Sequence, residues 1–198
     1  ILDSAEKVVA FDTETDSLNT HEANLVGFSL SVEKGKGIYV PVILSGGMFA
    51  PETISKKDCL AVLEKLFAEK ELTLVMHNGK FDLEVLAANG MSPKTECKIF
   101  DTMIAAWLLN PAASGKSPYS LEFLAETKLG LKGIEFKDIV QKNQTFVDVP
   151  LEKAFKYGAE DSDFTLQLYY LLKDEIKKLN LERLFYEMEM KVLPILVS

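Results

Sequence analysis

Asp12 and Glu14 stand at alternate positions in "VVAFDTETDS", directly after the apolar run Val8 to Phe11. Side chains repeat every two residues on extended backbone, so both carboxylates point to one side and Thr13 points to the other. Acids are depleted in strands and repel each other at this spacing unless a positive charge lies between them. A hard divalent cation, Mg²⁺ or Mn²⁺, supplies that charge. A polar strand end making ordinary turns is the plain alternative. Asp16 continues the alternation, but it falls at "DSLN" and reads as a loop or capping residue.

Two further elements carry candidate chemistry. In "HNGKFD", residues 77–82, a strand ends and a helix begins near Gly79. Asp82 then falls in the first helical turn, where the helix dipole favours an anion. Asn78 either meets a nucleotide or caps the helix, and His77 reads as structural. In "YGAEDSDFT", residues 157–165, Tyr157 and Asp161 are four apart and share one helix face. Glu160 and Asp163 lie on other faces, and Asp163 is expected in solvent. Phe164, Leu168 and Leu171 form an apolar stripe. Four acids, Asp12, Glu14, Asp82 and Asp161, suffice for two cations about 3.5–4 Å apart.

The elements that must position these groups follow from hydrophobic period and breakers. Strands are expected at 7–13, 25–33 and 37–43, the last two joined by the turn "EKGKG". The loop "SGGMFAPETIS" leads to a Ser55/Asp58 capping box and a helix to about residue 69, with Leu60, Leu63 and Phe67 on one face. "LTLVM" and "KIFDT" are short strands. Helices are expected after Gly79 up to Gly90, in "MIAAWLLN" up to Pro111, in "SLEFLAETKLG", in "FKDIVQ", over 151–178, and over 180–196 with a break at Pro194. The sum is an α/β chain: three antiparallel strands, then strands alternating with helices.

The bulk properties set limits. A chain of 198 residues with 47% hydrophobic and 26% charged residues suits one globular domain. The net charge of −8 argues against a broad nucleic-acid-binding surface. It leaves room for a carboxylate cluster that borrows a metal's charge. Cys59 and Cys97 stand apart, which suits neither a zinc site nor a disulfide framework and fits a reducing cytosol. No membrane-spanning stretch or signal peptide is evident. The start at Ile1 and the close at "KVLPILVS" suggest a piece of a longer polypeptide.

With the motifs in view, "FDTETDSL", "NGKFD" and "YGAEDSDFTLQLY" resemble the three exonuclease motifs of bacterial family A DNA polymerase I. "KIFDTMIAAWLLNP" and "NQTFVDVPLEKAFKY" resemble its intervening segments, and "FYEMEMKVLPILVS" the helix that leads into its polymerase domain. The resemblance implies a ribonuclease H-like mixed sheet surrounded by helices. It divides the chain into a 3′–5′ exonuclease domain over 1–180 and a helix over 181–198 leading toward a polymerase domain. It implies two Mg²⁺ ions, with Mn²⁺ or Zn²⁺ as alternatives, held by Asp12, Glu14, Asp82 and Asp161. Tyr157 would orient the attacking water. Leu18, Asn78 and Phe136 would contact the last nucleotides of a single-stranded 3′ end of DNA, Leu18 as an apolar wedge. His77 and Phe81 stand where the family more often has Gln and Tyr, and no role is carried over to them. The implied setting is the bacterial cytoplasm, with a monomeric fragment and the polymerase domain of the same chain as its partner. An RNA-processing exonuclease with the same acids, and a non-enzymatic spacer between polymerase domains, are the competing readings.

Overall fold

The computed structural model describes residues 7–43, 54–92 and 95–197. Five strands form one sheet in the order β3-β2-β1-β4-β5. They are β1 (Val8–Thr15), β2 (Leu25–Glu33), β3 (Lys36–Pro41), β4 (Thr73–Met76) and β5 (Lys98–Asp101). The first three are antiparallel, and β4 and β5 run parallel to β1. All five lie within two residues of their expected places. The expected loop 45–55 lies mostly outside the described residues.

Helices cover the sheet: α1 (Lys56–Phe67), α2 (Gly79–Ala88), α3 (Thr102–Leu109), α4 (Leu121–Leu124), α5 (Phe136–Ile139), α6 (Leu151–Lys178), α7 (Glu182–Leu184) and α8 (Met190–Val197). Ser55 caps α1, accepting from the Asp58 N–H as its sequence position suggests. The main core joins Phe11, Leu74, Val75 and Phe100 of the sheet to Phe164, Leu168, Leu172 and Ile176 of α6. Leu171 is only partly buried; its neighbour Leu172 takes the core position. A second buried cluster, with Val26, Tyr39, Ile139, Phe146 and Tyr157, sits beside the candidate site.

Three details depart from expectation. The break near the C-terminal end falls at a π-helical turn, Phe185–Glu189, while Pro194 lies inside α8. The wider turn puts residues five apart on one side, so Phe185 and Met190 both reach the core. "SLEFLAETKLG" likewise passes from α4 into a π-helical turn, Ala125–Leu129, before Gly130 closes it at φ +70°. Asp163 is buried, not solvated: it accepts from the Gly35 N–H at 2.7 Å and from Gln167 Nε2 at 2.8 Å. The β2–β3 hairpin tip folds onto α6 there, a long-range contact that local pattern does not encode.

Candidate active site

Registered pairing between β1 and β4 runs only from Val8↔Thr73 to Ala10↔Val75. Asp12, Thr13 and Glu14 therefore lie past the end of β4, still anchored to β2 on their other side. The pairing shifts register between Glu14 and Thr15, where the chain turns away. Asp16 accepts from the backbone and side-chain amides of Asn24, both at 2.8 Å, so it closes this loop.

The rigid strand delivers Asp12 and Glu14 to Asp161 on α6. One carboxylate oxygen from each of the three lies within 4.8 Å of the others. Tyr157, one turn earlier on α6, shares a helix face with Asp161, and both line the same cavity. Its ring is fixed by Phe136 and Phe146, with centroids 6.2 and 5.9 Å away. Gly158 leaves room for Tyr39: a Cβ there would lie 2.8 Å from Tyr39 Cδ2.

Asp82 is 2% exposed in the first turn of α2. It stands outside the three-carboxylate cluster but borders the same cavity. Its Oδ1 accepts from the Thr13 N–H at 3.1 Å and the Thr13 hydroxyl at 2.6 Å. Asn78 occupies the N-cap position at φ +61° and is exposed, and its side chain makes no capping bond. Asp101 performs that task. Its carboxylate accepts from Gly79 N–H at 2.7 Å and Asn78 N–H at 3.3 Å, and it also caps α3 through Met103 and Ile104. Asp101 escaped sequence reading, although an Asp directly before a helix is an N-cap signal.

The electrostatics follow from crowding acids out of water. Burial pushes the Asp12 carboxyl up to about 7. Glu14, Asp82 and Asp161 also lie well above the usual carboxylate range, by burial first and then by repulsion from their acidic neighbours. The Thr13 bonds offset part of the rise at Asp82. Tyr157 is held protonated by burial and by the adjacent carboxylates. Burial lowers His77 to about 4, and its Nδ1 lies 2.8 Å from Thr102 Oγ1.

All four acids, Tyr157, Leu18, Asn78, His77 and Phe81 line a cavity of about 400 Å³. It adjoins a cleft of about 390 Å³ bordered by Leu18, Phe81, Phe136, Gln144 and Phe146. Leu18 is 90% exposed and borders both. Thr13, Phe81 and Gln144 also line this site, and sequence reading gave none of them a role.

The residues fit divalent cations. Glu14 Oε1 and Asp82 Oδ2 are buried with no hydrogen-bond partner. Native proteins rarely leave buried carboxylate oxygens unpaired. No lysine or arginine borders the cavity among the described residues. The donors are all oxygens, which suits Mg²⁺ or Mn²⁺ over softer metals.

Comparison with known proteins gives the setting. Residues 2–177 match a protein family described as 3′–5′ exonuclease. DNA polymerase I of Treponema pallidum is 37% identical over 97% of this chain, which spans 22% of that protein. DNA polymerase I of Pseudomonas aeruginosa is 33% identical over 98% of this chain, which spans 21% of it. The chain thus covers about a fifth of these relatives. Among solved structures, Brucella melitensis NrnC with bound Mg²⁺ superimposes at a TM-score of 0.72, with 24% identity over 98% of this chain and 84% of that one. Escherichia coli RNase D, described as an exoribonuclease involved in structured RNA processing, gives a TM-score of 0.71 at 16% identity, covering 98% of this chain and 45% of that one. These two likenesses establish the ribonuclease H-like fold.

Proposed function

This chain belongs to the 3′–5′ exonuclease domain family related to bacterial DNA polymerase I, and from that premise we propose that it removes 3′-terminal nucleotides from DNA as 5′-monophosphates. The observation that carries this reading is the meeting of Asp12, Glu14 and Asp161 oxygens within 4.8 Å, beside the unpartnered Glu14 Oε1. On this reading Asp12, Glu14 and Asp161 hold one cation, and Asp12 with Asp82 holds the second. When bound, such cations acidify water and neutralise the charge on a phosphate undergoing attack.

The protein's own groups divide the remaining work. The Tyr157 phenol stays protonated, so it can hold and aim a water but cannot take its proton. Glu14 reaches the same space and accepts a hydrogen bond from that water. Leu18 is exposed and free of packing, which suits a wedge between the last two bases. Phe136 is 45% exposed at the adjoining cleft and offers a ring face for stacking. Stacking of this kind accepts any base. Asn78 faces the cavity with its side chain uncommitted to the helix.

The charge of −8 opposes DNA in general, but cations would offset the site carboxylates and only a short single-stranded end must enter, so the affinity is expected to be weak and salt-sensitive. Selectivity for a mismatched terminus then comes from fraying, because a paired end must melt first. Residues 1–180 are the proposed exonuclease domain, and 181–198 the proposed lead to a polymerase domain of the same chain. That division is one of role: Phe185, Met190 and Leu193 pack into the same core as the sheet. Bacterial cytoplasm is the proposed setting.

Parallel digestion of matched single-stranded DNA and RNA tests the substrate class. Faster loss of DNA with release of 5′-mononucleotides is expected. Faster loss of RNA would place the chain with the RNA-processing enzymes instead.

A further inference from the structure

Thr13 sits between two candidate ligands and is 7% exposed. Its side chain points away from theirs, as the strand alternation requires. Its backbone N–H lies beyond the last registered pair of β1 with β4. A buried N–H without a partner is unfavourable, and here Asp82 Oδ1 supplies the partner at 3.1 Å. The hydroxyl adds a second, short bond to the same oxygen at 2.6 Å. Asp82 is thus gripped twice through Oδ1, while Oδ2 is buried and has no partner. Two bonds to one oxygen fix the carboxylate's rotation as well as its position.

We propose that Thr13 is the positioning residue for the second cation, holding Asp82 Oδ1 so that Oδ2 remains as the ligand atom. The inference rests on the two-cation reading of the site above. Asp82 belongs to a helix and Asp12 to a strand, whose apolar residues share one core but whose carboxylates need a finer alignment. The Thr13 bonds tie the helix to the residue adjacent to Asp12. The middle residue of "DTE" then has a task of its own: a β-branched side chain suits the strand, and only a hydroxyl on it also reaches the helix.

The test compares Thr13→Val, which keeps the shape and loses the hydroxyl, with Thr13→Ser, which keeps the hydroxyl. Mn²⁺ binding is followed by calorimetry without DNA, and the Mg²⁺ dependence of nucleotide release is followed with DNA. The component of Mn²⁺ binding lost in Asp82→Ala defines the site in question. Thr13→Val should weaken that component about tenfold, the lower end for loss of a ligand's supporting bond. It should raise the Mg²⁺ concentration for half-maximal release similarly, with the rate recovering at saturating Mg²⁺. Thr13→Ser should stay within about threefold of wild type, since it retains the bond. Thr13→Val should add nothing to Asp82→Ala. The inference is overturned if Thr13→Val binds Mn²⁺ as wild type does, if Thr13→Ser fails equally, or if Asp82→Ala leaves Mn²⁺ binding unchanged. Should Thr13→Val not fold, Thr13→Ala against Thr13→Ser reads the same contrast. Absence of nucleotide release by wild type would defeat the nuclease reading, whereas the Mn²⁺ isotherms would still decide the role of Thr13.

Discussion

Asp101 accepts the Gly79 backbone N–H at 2.7 Å, and so the last residue of β5 caps the helix that carries Asp82. The same carboxylate caps α3. It is 1% exposed and accepts four backbone N–H groups. Asp101→Ala should lower stability by about 2–4 kcal/mol, because a lost cap and several stranded buried donors add together. Asp101→Asn keeps an acceptor and should lose less. Urea denaturation of the three proteins measures this. Equal stability of Asp101→Ala and wild type would remove the double-cap account.

Tyr157 stands one helical turn from Asp161 and is held by two phenylalanines. Tyr157→Phe keeps the packing and loses only the hydroxyl. It should slow turnover by roughly ten- to a hundredfold, within the range for one positioning group, with little change in KM. Asp161→Ala should slow it further. Steady-state kinetics on one labelled oligonucleotide decide; equal losses would mean that the phenol does more than aim water.

The acids at the site make metal-free stability fall as pH rises. In the unfolded chain these carboxyls titrate near 4, as ordinary Asp and Glu do. In the folded protein Asp12 is pushed up to about 7, and its neighbours are also raised. The folded state therefore holds more protons between the two values, and stability declines as pH passes from about 4 to 7. Asp12→Asn should gain on wild type by roughly 1–3 kcal/mol over that window in EDTA, and Mg²⁺ should erase most of the difference. Thermal denaturation at pH 5 and pH 7.5 measures it. A pH-independent gap would refute the assignment of Asp12 as the titrating group.

Leu18 is 90% exposed, so Leu18→Ala should change stability by less than about 0.5 kcal/mol. Its effect belongs to the substrate. Release from a paired 3′ end should slow more than release from a single strand. Denaturation and digestion of both substrates check this, and identical slowing on both would exclude a wedge.

Much of this architecture was legible because the places of the strands and their alternation are local. "VVAFDTET" and "LVGFSLSVE" announced β1 and β2, and a Tyr and an Asp four apart announced one helix face. Asp82 was readable as an acid in a first helical turn. Its grip on Thr13, 69 residues away, was not, because it depends on where β4 stops pairing. Asp163 was misplaced for a similar reason: its partner Gly35 is 128 residues away. Asp101 looked like the end of an ordinary strand, and its second cap appears only when β4 and β5 lie side by side.

The most direct measurement is digestion of a 3′-single-stranded DNA, labelled at its 5′ end, by wild type and Asp12→Ala, each with Mg²⁺ or with EDTA. The account predicts a ladder shortened one nucleotide at a time from the 3′ end, only for wild type with Mg²⁺, while Asp12→Ala keeps its fold and yields no ladder. A full ladder from Asp12→Ala, or from wild type in EDTA, would contradict it, as would intact DNA with folded wild type and either Mg²⁺ or Mn²⁺.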